Sequence, residues 1–333
     1  MSYNIRLYQD QDLPALVRIW NESVDANEVV FYPASEEYLN KRIFEIPHEV
    51  KPYTFVAEKD DQVIGFVVGV CQKTFLPKQT HENTPGYLVV IFVEKAHRRN
   101  GVGKQLMSAL EDAFRAAGKQ KIAMTSLSPI DMEWRIPNTP GHDHNNVPGV
   151  DKECEGYPFL LAQGFEDTVR EVAMYLKLAD YQEPAFVKEK QQALREQGIE
   201  TGLYDVSLKY DFDRMCTRVG SEYWRKVLQD ETAKENPRPI LTATTKDGYI
   251  VGFTGPVDRQ ESGRGWFTGI CTDPEFEGRG IASVLFNLLM QEFIKVGADF
   301  STLFTGEENW AQKVYRRAGF DVVRTFSYMS KPL

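Results

Sequence analysis

Two stretches of the 333-residue chain have residue types and spacing suited to holding a diphosphate. In the first, Arg98-Arg99-Asn100-Gly101-Val102-Gly103-Lys104 follows an apolar run ending at Phe92-Val93. In the second, Glu277-Gly278-Arg279-Gly280-Ile281-Ala282-Ser283 follows Ile270-Cys271-Thr272. Glycine at such a turn lets a ligand approach the main chain, because no Cβ stands in the way. A helix beginning there leaves its first N–H groups without internal acceptors, and its dipole favours an anion. Tyr315, four residues before Gly319-Phe320, offers a phenol on an amphipathic run and on that ground alone reads as a packing tyrosine. The corresponding position before Gly164-Phe165 is Leu160, which has no proton to give. Asn309 offers a hydrogen-bonding amide. All five histidines lie in the first half, so the second half has no imidazole base. Asp273 and Glu275 are expected to face solvent, and no residue reads as the general base. His142-Asp143-His144 reads as a solvated Pro/Gly-rich loop rather than a metal site, because no further ligand stands in fixed register.

The elements that position these residues follow from periodicity. Tyr87–Val93 and Trp266–Cys271 read as strands. After the second turn the apolar residues recur at i, i+3, i+4 and i+7, and after the first they fall on one face at every fourth position, as in helices with one buried face. Val102, Leu106, Leu110 and Phe114 mark the first helix; Ile281, Val284, Leu285, Leu288, Leu289 and Phe293 mark the second. Gly86–Phe114 and Gly265–Phe293 therefore align as an internal repeat, which weighs more than one glycine motif alone. The flanking elements repeat too. Thr54–Ala57 with Val63–Val70, and Pro239–Thr244 with Tyr249–Thr254, read as hairpins, and Val63-Ile64-Gly65-Phe66 matches Ile250-Val251-Gly252-Phe253. Gly65 and Gly252 are expected where another backbone comes close. Met215–Leu228 reads as one amphipathic helix, and Pro129–Cys154 as a long irregular insertion.

Length predicts two domains. The division is expected as residues 1–179, a connecting exposed helix over 180–198, and 199–333. A hydrophobic content of 42% with 26% charged residues is that of an ordinary globular protein. The chain shows no apolar run of membrane-spanning length and no signal-peptide pattern at its start. Four scattered cysteines suit a reducing, cytoplasmic setting. A formal charge of -9 argues against a nucleic-acid partner.

The order strand, Arg/Gln-x-x-Gly-x-Gly/Ala, helix, strand, then Asn…Tyr-x-x-x-Gly-Phe resembles the GNAT superfamily of acetyl-CoA-dependent N-acetyltransferases. Gly280, Ala282, Asn309, Tyr315 and Gly319-Phe320 carry the likeness in the second half. Arg98, Gly101, Gly103 and Gly164-Phe165 carry it in the first. The tandem arrangement is similar to that of mycothiol-synthase-like members. The resemblance implies an α/β (α+β) fold of two GNAT domains, each a mixed central sheet flanked by helices. It implies acetyl-CoA as cofactor, held by Ile270, Cys271, Thr272, Glu277 to Ser283 and Asn309, and by Phe92, Val93 and Arg98 to Lys104. It implies a small-molecule amine as acceptor; charge and run length argue against nucleic-acid and membrane partners, and a monomer or a homodimer both stay open. It makes Tyr315 the proton donor, the second domain the catalytic one and the first a degenerate copy. Glu277, where the first half has Arg98, departs from the pattern by placing a carboxylate beside the expected phosphate.

Overall fold

A computed structural model of the chain describes residues 3–45, 50–75, 78–130, 132–136, 139, 147–205 and 212–333. His142-Asp143-His144 lie outside the described residues. The chain divides into two compact units, Met1–Val172 with Arg324–Leu333, and Ala173–Val323. The division thus falls seven residues before the expected cut at 180, and the final ten residues rejoin the first unit.

In the first unit, β1 (Asn4–Leu7) is followed by α1 (Leu13–Asp25) and the short α2 (Glu36–Leu39). The hairpin of β2 (Val50–Lys59) and β3 (Gln62–Gln72) leads to β4 (Gly86–Val93), α3 (Val102–Ala116) and β5 (Lys121–Met124). Then come β6 (Val150–Asp151), α4 (Gly156–Ala162) and β7 (Glu166–Lys177), within which the chain enters the second unit. The sheet order is β1-β2-β3-β4-β5, with the last strand of the chain beside β5. Leu106, Met107, Leu110 and Phe114 of α3 are fully buried against Ile64, Val67 and Leu88, which accounts for the one-faced apolar spacing in the sequence.

The second unit begins with α5 (Phe186–Glu196) and β8 (Ile199–Leu203). The single helix expected over Met215–Leu228 is two, α6 (Asp213–Val219) and α7 (Glu222–Thr232). Gly220 ends the first in a left-handed conformation, and the Ser221 hydroxyl accepts from Trp224 N to start the second. β9 (Leu241–Thr245) and β10 (Ile250–Gly255) form the expected hairpin. β11 (Asp258–Arg259), β12 (Arg264–Trp266), β13 (Gly269–Thr272), α8 (Ile281–Lys295), β14 (Phe300–Gly306), α9 (Gln312–Arg317) and β15 (Asp321–Pro332) complete the chain. β8-β9-β10-β13 form one sheet, and β12 pairs in parallel with β14. The 180–198 segment is not a free connector: Val187 and Leu194 of α5 have no exposed surface, and the helix belongs to the second unit.

The internal repeat extends to register. Gly65 pairs with Val93 and Phe66 with Phe92; Gly252 pairs with Thr272 and Phe253 with Cys271. A Cβ on Gly65 would lie 2.9 Å from Phe92 O, and one on Gly252 would lie 3.2 Å from Cys271 O. These glycines serve close backbone approach, as expected.

Candidate functional site

The two glycine turns adopt the same backbone. Arg99 (φ 61°) and Gly101 (φ 82°) match Gly278 (φ 76°) and Gly280 (φ 90°), all in the left-handed region. Arg99 occupies that region against its intrinsic preference, a cost of about 1–2 kcal/mol. The turns feed α3 and α8, whose first internal bonds run from Gln105 N to Gly101 O and from Val284 N to Gly280 O. Among the described residues, the main-chain N–H groups of Arg99 through Lys104, and of Gly278 through Ser283, have no acceptor. Two six-amide arcs at helix starts therefore lie open, a geometry that binds anions.

The first arc follows a strand, β4, that parts from its neighbour, and the second follows β13, which continues the chain after β12 has parted from β14. β4 pairs in parallel with β5 only at Gly86↔Ile122 and Tyr87↔Ala123. β12 pairs with β14 only at Arg264↔Phe300 and Gly265↔Ser301. Beyond those points Leu88–Val93 and Phe267–Thr272 have one edge without a parallel partner among the described residues, a slot able to take an extended ligand arm in strand fashion.

In the first unit this slot opens into a cavity of about 340 Å³. Val90 to Val93, Arg98, Arg99, Gly101, Gly103 and Lys104 line it, so the structure brings most of the first-half candidates together. Asn100 and Val102 do not line it; Val102 is buried in the core, and Asn100 is exposed with its carbonyl accepting from the Tyr3 hydroxyl at 3.3 Å. Arg98 is already engaged. Its Nε donates to Val93 O at 2.9 Å, and its guanidinium pairs with Glu28 at 2.6 Å and Glu155 at 3.5 Å. It braces the turn from within, whereas Arg99, 79% exposed, and Lys104 are the exposed cations. The Phe159 ring lies 3.3 Å from where a Cβ on Gly103 would stand, so this Gly is needed where the repeat has Ala282.

In the second unit, Ile270, Cys271 and Thr272 are half-buried on β13, and burial pushes the Cys271 thiol up to about 12. Glu277 is exposed at the turn. Arg279 lies over the Phe276 ring at 4.8 Å. Sequence reasoning missed Lys190 of α5, whose Cδ comes within 2.9 Å of a Cβ built on Gly280. It sets a cation beside the arc that Glu277 opposes. Its only sequence signal was a position on a helix read as a connector.

Asp273 corrects the expectation of a solvent-facing carboxylate. It is 1% exposed, pairs with Arg218 at 2.8 Å and accepts from Glu275 N at 2.9 Å. It fixes the strand-to-turn corner and is not free to act as a base. Asn309 caps the approach to α9: its amide oxygen accepts from Ala311 N at 3.0 Å and its nitrogen donates to Thr305 at 2.9 Å. Tyr315 on α9 is 8% exposed, with its ring 4.8 Å from that of Phe286 on α8. Its hydroxyl has no hydrogen-bond partner among the described residues, and burial raises its pKa. Among the described residues no cluster of His, Cys, Asp and Glu could hold a metal ion, and no helix is long and apolar enough to cross a membrane.

Comparison with known proteins agrees with the duplicated fold. A mycothiol acetyltransferase from Propionibacterium freudenreichii subsp. shermanii is 31% identical over 93 residues, which are 27% of this chain and 30% of that protein. The glucosamine N-acetyltransferase region of a fungal multi-domain GH3 beta-N-acetylglucosaminidase superposes with a TM-score of 0.61 at 17% identity, over 99% of this chain and 38% of the other. A tandem GNAT protein from the clavulanic acid biosynthesis pathway superposes with a TM-score of 0.52 at 14% identity, over 99% and 98%. The chain thus spans less than half the length of the first two, and at these identities the superpositions speak to fold alone. The model of the acetyltransferase (GNAT) family matches residues 16–129 and again 200–320, well over half of the sequence, and the chain belongs to that family as a tandem pair of its domains.

Proposed function

We propose that this protein is an N-acetyltransferase that moves acetyl from acetyl-CoA to a primary amine of a small molecule or peptide, by direct transfer in a ternary complex. The observation that carries this reading is the pair of six-amide arcs without acceptors, each at the mouth of a strand slot. The arc holds the diphosphate, and the slot takes the pantetheine arm. In the second unit a main-chain N–H near the end of β13 stabilises the oxyanion as the amine attacks. Tyr315 then protonates the departing thiolate. A phenol is protonated at neutral pH, as a donor requires, and burial shifts its pKa further upward. Lys190 offsets Glu277 at the phosphates. The first unit binds the cofactor through Phe92, Val93 and the arc from Arg99 to Lys104, with Arg98 as its brace. Four free cysteines accord with a cytoplasmic location.

Glucosamine, named for one of the similar proteins, is the first acceptor to try. Isothermal titration with acetyl-CoA should give a stoichiometry near two per chain, and a value of zero removes the reading. Thiol release on a panel of amines then separates an enzyme from a non-catalytic acyl-CoA sensor, the reading that Glu277 favours. The same assay with longer acyl-CoA thioesters fixes the acyl group.

A further inference from the structure

The cavity of the first unit contains more than a cofactor site. Beyond the arc and β4 it is walled by Val30 and Phe31 after α1, Met124 at the end of β5, and Val147 with Gly149 to Asp151 before α4. Most of that lining is apolar, yet Asp151 stands in it, 7% exposed. Its Oδ1 accepts from Glu153 N at 3.0 Å and lies 3.7 Å from Arg324 Nε. Its Oδ2 has no hydrogen-bond donor among the described residues. The other acidic groups of the cavity are committed: Glu28 to Arg98 and Lys95, and Glu155 to Arg98 and Arg99. Oδ2 is not among the fully buried unpartnered atoms, so this largely buried carboxylate keeps one oxygen within reach of the cavity's solvent, able to accept from a donor on a bound ligand. An ammonium group is such a donor.

We propose that the first unit holds an acyl-acceptor subsite of its own, in which Asp151 receives a cationic primary amine on an apolar body and takes the proton that frees its lone pair. This rests on the reading that the arc from Arg99 to Lys104 holds a CoA thioester. The steps balance without a further reagent. One ammonium proton passes to Asp151, and the amine nitrogen bonds to the thioester carbonyl carbon. The tetrahedral adduct collapses with cleavage of the C–S bond. The second nitrogen proton leaves with the thiolate, giving an amide and the free thiol of CoA. A tyrosine is not required in this unit, because the second nitrogen proton reaches the thiolate and fills the role that Tyr315 plays in the second unit. Leu160 in the tyrosine position therefore does not make this unit inert, contrary to the expectation of a degenerate copy.

The charged and titratable groups facing Asp151 are Arg324 on β15, which favours its ionised form, Glu153, which opposes it, and the neighbouring Cys154. Burial outweighs them and raises the Asp151 carboxyl above its ordinary range. Cys154, pushed up to about 11, stays a neutral thiol.

The test uses the full chain with Gly280→Glu, which places a side chain and a negative charge in the second arc. Acetyl-CoA should still bind, with a stoichiometry near one. Thiol release should persist with primary amines on aliphatic or aromatic bodies. Asp151→Asn in that background should lower turnover about a hundredfold while acetyl-CoA binding stays within about twofold. Asp151→Glu should restore part of the rate. Where the Asp151 variants do not fold, the pH profile of the Gly280→Glu chain decides: turnover should rise through one carboxyl ionisation lying above the ordinary range. Binding without turnover of any amine, turnover indifferent to Asp151→Asn, or a flat acid limb would each overturn the subsite while leaving the cradle reading intact. A stoichiometry of zero would remove the cradle reading and this one with it.

Discussion

At the scale of single residues, burial decides what each titratable side chain can do. Tyr315 is surrounded by Phe286 and Phe320, and nothing among the described residues accepts its proton. Tyr315→Phe removes one oxygen and leaves the ring packing in place. Thiol release by the second unit should fall about a hundredfold with little change in melting temperature. An unchanged rate would make Tyr315 a packing residue. Glu231 shows the opposite case. It is 2% exposed, and burial alone would raise its pKa, but Arg238, Lys234 and the Arg238 main-chain N–H hold it down at about 2 against an ordinary 4.5. With the folded pKa depressed, its stabilisation is fully present above pH 4.5 and is lost as the pH falls toward 2. The shift corresponds to about 3 kcal/mol. Glu231→Gln should therefore lower stability near pH 7 and flatten the acid limb of the stability profile, measured by denaturant unfolding between pH 2 and 7.

At the scale of elements, the strand–turn–helix unit was legible because its constraints are local. The apolar period fixes α3 and α8, and glycine fixes the left-handed turns. The same unit explains two glycines that serve packing alone. A Cβ on Gly86 would stand 2.4 Å from the Phe114 ring, and one on Gly265 would stand 2.6 Å from the Phe293 ring. Each strand starts where the far end of its own helix crosses it, and only glycine fits beneath the ring. Gly265→Ala should cost about 1–3 kcal/mol by overpacking, visible as a lower urea midpoint, and Phe293→Leu in the same chain should recover part of it. Where the controlling contact is remote, the sequence was silent. Asp273 reads as an exposed turn residue until Arg218, 55 positions away, is brought beside it. The break at Gly220-Ser221 was missed because a helical period continues across it on both sides. Lys190 and Asp151 carry no motif, and only the fold sets them at a turn and in a cavity.

At the scale of the whole molecule, a single cut of the chain does not separate the two units. The last strand runs Met329, Ser330, Lys331 and Pro332 antiparallel to Met124, Ala123, Ile122 and Lys121, and pairs Phe326 with Asp151. Phe326 and Met329 have no exposed surface, and Lys331 reaches Glu111 of α3 at 2.8 Å. Sequence order gave no sign of this, because strand pairing across 200 residues leaves no local pattern. A fragment ending at residue 179, the boundary that composition suggests, keeps every element of the first glycine turn and lacks the strand that covers β5. Losing one buried Phe or Met contact costs about 2–5 kcal/mol, and losing both approaches the stability of an ordinary domain. The 1–179 fragment should therefore lack a cooperative melting transition and be cleaved readily by protease. Appending residues 324–333 through a flexible linker should restore both properties, together with acetyl-CoA binding at the first arc. A fragment that melts cooperatively and binds acetyl-CoA without the strand would show instead that β5 tolerates an open edge, and that the final strand is an addition to a unit already complete.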